Sequence, residues 1–226
     1  MEERPSSRAF GPQGWWPGET PFEVMVGAVL TQNTNWGNVE RALTRLKARN
    51  LLDARRLQAC PPNRLAALIR PAGCHNVKAR RLGAFLAWLD GRGPADFRGR
   101  RTENLRAELL SVKGIGRETA DSILLYALNR RVIVVDAYAR RVLSRHGWAE
   151  SDADYDDLRR RIESSLPPSV RVYNEFHALI VRVGKAHCRS RLSGPKVPRD
   201  FVFLEALPRN PTGKVLKREL RMMEGS

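Results

Sequence analysis

From residue 21 onward the apolar residues return at intervals of three and four, the period of a helix rather than a strand. The spacing predicts helices at about 21–31, 36–48, 51–59, 62–69, 76–90, 102–110, 117–128, 136–146, 154–165 and 172–188. Turn signals separate them: Pro61-Pro62, Arg70-Pro71-Ala72-Gly73, Gly91-Arg92-Gly93-Pro94 and Pro167-Pro168. Only Val132, Ile133, Val134 and Val135 form a strand-like run, too short and too solitary to build a sheet. The first twenty residues, rich in Gly, Pro and Trp, read as an irregular lead-in. The fold class expected is all-α, without internal repeats.

Composition narrows the functional classes. With 226 residues, 42% of them apolar, the chain can bury one generous core or two modest ones, so one compact unit with two lobes is expected. No run approaches the ~18 consecutive apolar residues of a membrane span, and the N-terminus lacks a secretory signal, which predicts a cytosolic protein; a monomer is expected. Forty Lys and Arg against twenty-four Asp and Glu leave a formal charge of +16, which favours a polyanionic partner. Cys60, Cys74 and Cys188 are too few and too scattered for a disulfide framework or a thiolate metal site. Reduced thiols, no metal and no cofactor are expected.

The most informative stretch runs from Leu109 to Leu128, where Val112-Lys113-Gly114-Ile115-Gly116 separates two helices. Two glycines around an apolar residue permit a tight turn with Ile115 inward and backbone N–H groups outward, an anion cradle at a helix N-terminus. Lys113 and Arg117 bracket that turn, so Lys113, Gly114, Gly116 and Arg117 are candidate phosphate contacts. GIGRETA at 114–120 and VIVVDAYARRV at 132–142 together resemble the endonuclease III-like helix-hairpin-helix DNA glycosylases. LTQNT at 30–34 and AGCHNVKARRL at 72–82 follow the family's order, and the likeness covers about residues 21–188.

That resemblance implies a two-lobed fold with double-stranded DNA in the cleft: a hairpin lobe at 22–132, a second lobe from 1–21 with 133–192, and a basic tail at 193–226. It also implies that Asp136 is the catalytic carboxylate. Breaking an N-glycosidic bond builds positive charge on the sugar, which a carboxylate stabilises, and the same group can orient or deprotonate water. Asp136 is at the same time a natural N-cap for the helix that follows. Bifunctional members place a nucleophilic lysine where this chain has Glu118, and a carboxylate cannot form a Schiff base. The departure implies a monofunctional enzyme, similar to the branch that excises 3-methyladenine and related alkylated purines from a damaged duplex. Glu118 is then a second polar group near the sugar, or a first-turn glutamate favoured by the helix dipole.

Trp15, Trp16, Pro17 and Trp36 match the base-pocket positions of alkyladenine-type relatives, with core packing as the competing role for the tryptophans. Gln32, Cys74 and His75 match places where relatives probe the gap left by a flipped nucleotide. The rival readings are a bifunctional enzyme for oxidised pyrimidines and a catalytically inert hairpin module. At the C-terminus the four-cysteine iron–sulfur pattern of many relatives is absent: after Cys188, its positions fall on Pro195, Pro198 and Leu204. Residues 197–220 instead resemble the end of acyl-CoA synthetases, with Lys214 at that family's adenylation lysine but no nucleotide-binding core, so basic contact with DNA is the simplest role.

Overall fold

The computed structural model describes residues 18–190, with side chains described through residue 184. Trp15, Trp16, Pro17 and the 193–226 tail lie outside the described residues. The described chain is helical and contains no strand. The order is α1 (Pro21–Leu30), α2 (Trp36–Lys47), α3 (Ala54–Gln58), α4 (Pro62–Leu68), α5 (His75–Leu89), α6 (Thr102–Ser111), α7 (Arg117–Ser122), α8 (Ala137–Arg145), α9 (Tyr155–Ser165) and α10 (Val170–Ser190).

Most boundaries lie within a few residues of the sequence expectation because local chemistry sets them. Thr20, Asn35, Asp53 and Asp154 accept backbone N–H bonds as N-caps of α1, α2, α3 and α9. Pro21 and Pro62 occupy first-turn positions where no N–H is needed. Three details depart from the expectation. Short 3₁₀ turns form at Arg70–Ala72 and Pro94–Phe97, where only turns were foreseen. The helix expected over 117–128 changes at Ile123–Ala127 into a π-turn, closed by Leu128 N–H donating to the Ile123 carbonyl.

Helix α1 is apolar almost all round and is buried from Glu23 to Leu30, so it forms the centre rather than an amphipathic flank. It packs against α2, α5, α7 and the π-turn, which seats the hairpin directly on the core. Val26, Val29 and Leu30 are fully buried there, each stabilising by about 1.5–3 kcal/mol relative to exposure.

The run from Val132 to Val135 is non-helical and at most 1% exposed, yet pairs in no sheet. Side chains of α9 replace the missing ladder: Ile133 N–H donates to Glu163 Oε1 (2.9 Å), and Val135 N–H donates to the Tyr155 hydroxyl (3.2 Å). This segment delivers the chain to Asp136.

A buried ion-pair network ties the hairpin to α9. Asp121 on α7 is inaccessible to solvent and receives both Arg106 Nε (2.7 Å) and Nη2 (3.1 Å). The Arg106 guanidinium also reaches Asp156 at 2.6 Å, bridging α6, α7 and α9. Helices α8 and α10 meet where the Tyr138 ring covers Gly184, and a Cβ on Gly184 would lie 2.3 Å from the ring. Glycine is needed there for the approach of the ring.

Candidate active site and DNA-facing turns

The hairpin turn has the geometry that its two glycines allow. Ile115 points inward at 5% exposure and its N–H closes the turn on the Val112 carbonyl at 3.0 Å, while Lys113, Gly114 and Gly116 are exposed. Gly114 has φ +91°, and a Cβ there would also sit 2.4 Å from Arg81 Cγ. Gly114→Ala is therefore expected to cost about 1–2 kcal/mol of stability through the left-handed conformation alone. Duplex affinity should fall with it, checked by thermal denaturation alongside fluorescence anisotropy on a labelled duplex.

Gln32 ties this turn to its neighbours. Its Nε2 donates to the Gly114 carbonyl and to Thr119 Oγ1, each at 3.0 Å, and Arg81 Nη1 donates to its Oε1 at 2.6 Å. The side chain foreseen as a probe of the flipped-nucleotide gap thus braces the hairpin. Arg117, foreseen as a phosphate contact, is paired with Asp154 (2.6 Å) and Asp156 (3.3 Å). Its charge is largely neutralised by α9, whereas Lys113 stands exposed on the turn.

A buried lysine joins the ends of α1 and of the turn that precedes α5. Lys78 is 2% exposed, and its ammonium donates to the Leu30 carbonyl (2.9 Å) and the Ala72 carbonyl (2.6 Å). Burial pushes its pKa down. Beyond Ala72, Gly73 and Cys74 are both left-handed (φ +72° and +42°), so the chain turns sharply before His75 opens α5. Cys74 is exposed and His75 half-buried in that turn.

Asp136 sits at the N-terminus of α8, where its Oδ1 accepts the Ala139 N–H at 2.7 Å. Its Oδ2 lies 3.6 Å from His177 Nε2 on α10. Burial raises the carboxyl's pKa, but the nearby imidazole and the backbone donors of Ala139 and Tyr138 outweigh it, so the group is held below the usual carboxylate value. Glu118 on α7 shows the opposite balance. Although the residue is exposed, desolvation, then the charge of Asp136, raises its pKa against the opposing influence of His177 and Arg140. The structure thus brings Glu118 and Asp136 into one electrostatic site with unequal proton affinities.

The sequence reading missed His177, Tyr126, Arg81 and Lys78. A signal existed for His177: it falls four residues from both Tyr173 and Val181 in an apolar stripe, a costly place for an imidazole. Trp36, at the start of α2, is half-buried and lines a cavity of about 520 Å³ with Gly18, Glu23, Glu40 and Lys47. The lining of that cavity includes neither Asp136 nor Glu118.

Residues 26–168, which include the hairpin and Asp136, match the family described as HhH-GPD superfamily base excision DNA repair protein. The chain belongs to this superfamily. The glycosylase is 46% identical over 186 residues to MJ1434 of Methanocaldococcus jannaschii, provisionally named a DNA repair glycosylase, covering 80% of this chain and 84% of that protein. Among solved structures it is similar to H. pylori 3-methyladenine DNA glycosylase MagIII bound to 1,N6-ethenoadenine, with a TM-score of 0.66 and 31% identity over 78% of this chain and 90% of that one. A separate 35-residue match, 54% identical, links the C-terminal part of the glycosylase to 7% of the Mycobacterium tuberculosis long-chain-fatty-acid–CoA ligase FadD13, too short a segment to carry that enzyme's activity. No helix among the described residues is long and apolar enough to cross a membrane.

Proposed function

We propose that this DNA glycosylase hydrolyses the N-glycosidic bond of an alkylated purine resembling 3-methyladenine and leaves the strand uncut. The observation that carries the reading is Glu118, a carboxylate under the influence of Asp136 at the position where bifunctional relatives hold an amine. Without a lysine there, attack at the sugar C1′ falls to water. Asp136, kept ionised, stabilises the cationic sugar as the base departs and aligns the water that adds to it. Glu118, with its raised proton affinity, is suited to hold a proton near the same centre. Little acid assistance to the base is needed, because a cationic alkylpurine is already a good leaving group.

The similarity to a structure named a 3-methyladenine glycosylase supports the substrate class. The resemblance, rather than the cavity that Trp36 lines, offers this ring as a stacking surface, worth about 0.5–2 kcal/mol more for a cationic than for a neutral base. Lys113 and the N–H groups of the hairpin turn would hold backbone phosphate, with Gln32, Cys74 and His75 near the displaced nucleotide and its partner strand.

The test is incubation with duplexes that each carry one defined lesion. Base release from alkylpurine duplexes is expected, with strand breaks appearing only after alkali. Borohydride should trap no covalent complex. Efficient trapping by the wild-type protein would show that an amine attacks the sugar and that the enzyme is bifunctional; release of oxidised pyrimidines alone would overturn the substrate class.

A further inference from the structure

His177 belongs to no motif, and its surroundings are not those of a packing residue. The residue is 5% exposed on α10, and its two nitrogens face different groups. Nδ1 contacts the hydroxyl of Tyr126, which the π-turn carries. Nε2 is buried with no hydrogen-bond partner and lies 3.6 Å from Asp136 Oδ2. Buried polar atoms are normally satisfied, so an orphaned nitrogen facing a carboxylate calls for an explanation. A leucine would fill the stripe between Tyr173 and Val181 without that penalty.

We propose that His177, backed by Tyr126, is a positioning residue for the hydrolytic reaction, fixing Asp136 by donating from Nε2 to Oδ2 once a flipped nucleotide closes the site. This rests on the reading of Asp136 as the catalytic carboxylate. The hydrogen-bond directions are mutually consistent: if the Tyr126 hydroxyl donates to Nδ1 the ring proton of an uncharged imidazole sits on Nε2, and a charged ring carries a proton on both nitrogens, so in either form Nε2 presents a donor to Asp136. Asp136 Oδ1 is already engaged by the Ala139 N–H, so the second contact would restrain both oxygens. The 3.6 Å separation is slightly beyond hydrogen-bond length, and catalytic contacts of this kind tighten when substrate binds. The π-turn gives Tyr126 its place: a regular helix would rotate every residue after Ile123 and take the hydroxyl away from α10. The other charged groups coupled to this cluster are Glu118 and Arg140.

The experiment compares His177→Leu, His177→Gln and Tyr126→Phe with the wild type in single-turnover base release from the lesion duplex that the wild type excises. Duplex affinity and thermal midpoints are measured in parallel. His177→Leu is expected to slow release about a hundredfold with duplex affinity changed by less than about twofold, while His177→Gln, which keeps a donor of similar reach, recovers to within about tenfold of wild type. Tyr126→Phe should fall between the two. Carbon NMR of the Asp136 carboxyl gives a readout independent of excision: its titration should move to higher pH in His177→Leu. Folded His177→Leu that releases base at the wild-type rate, equal rates for the Leu and Gln variants, or an unmoved Asp136 titration would each overturn the proposal. A wild type that releases no base from any lesion would instead defeat the glycosylase reading, and the NMR measurement would still decide whether His177 governs Asp136.

Discussion

Asp136→Asn is expected to reduce base release by at least about a thousandfold while leaving duplex affinity essentially unchanged. The two halves of that expectation have separate causes. In the proposed role the carboxylate's charge acts on the cationic sugar, which exists only in the transition state, so its loss is expected to fall on the chemical step. The carboxylate's shape acts on α8, where Oδ1 receives the Ala139 N–H, and asparagine caps a helix as well as aspartate does. Asp136→Ala is expected to show a further loss of about 0.5–2 kcal/mol in stability from the missing cap. Single-turnover release, anisotropy and thermal denaturation of the two variants separate these effects. Wild-type turnover by Asp136→Asn would remove Asp136 from the chemistry.

The depressed pKa adds a pH signature. A carboxyl whose folded pKa lies below its unfolded value of about 3.9 contributes stability that is fully present above that value and lost as pH falls through the folded value. The stability difference between wild type and Asp136→Asn should therefore be constant through neutral pH and shrink only in strong acid, which denaturation across pH would show.

Arg106→Met is expected to be the most destabilising of these changes, by about 3–5 kcal/mol, because it strands the Asp121 carboxylate in the interior. In a chain of this size that corresponds to a fall of roughly 10 °C in Tm. Burial already raises the Asp121 pKa even with Arg106 bound to it. A folded pKa above the unfolded value means that the fold loses stability as pH rises between the two, so removing Arg106 should widen that window upward. The destabilisation of Arg106→Met is accordingly expected to diminish toward mildly acidic pH, and a double variant with Asp121→Asn should recover part of the loss. A small, pH-independent effect would show that the network contributes little. Since Arg106 also holds Asp156, the same substitution should loosen the seat of the hairpin on α9 and weaken duplex binding.

Much of this molecule is legible in its sequence, for local reasons. Helical periodicity is set by which positions must be buried, and Thr20, Asn35, Asp53 and Asp154 begin helices through bonds only two or three residues long. The hairpin is legible too, since Gly114 is required by its own backbone angle and Ile115 by the turn it anchors. Asp136 is marked both by its place after the hairpin and by its capping chemistry. What the sequence does not contain is the pairing of residues far apart in the chain. Arg117 looks like a free cation beside a phosphate cradle until α9 brings Asp154 and Asp156 against it. Gln32 looks like a probe until the hairpin turn and Arg81 use its amide from both sides. Val132 to Val135 looks like an orphan strand until α9 side chains satisfy its backbone. His177 and Tyr126 stand fifty-one positions apart and meet only because a π-turn in one helix and the packing of another place them there. Charge and hydrogen-bond partners depend on distance in space, which periodicity along the chain does not encode, so the hairpin and its aspartate could be read from the sequence while the electrostatics around them were decided by the tertiary fold.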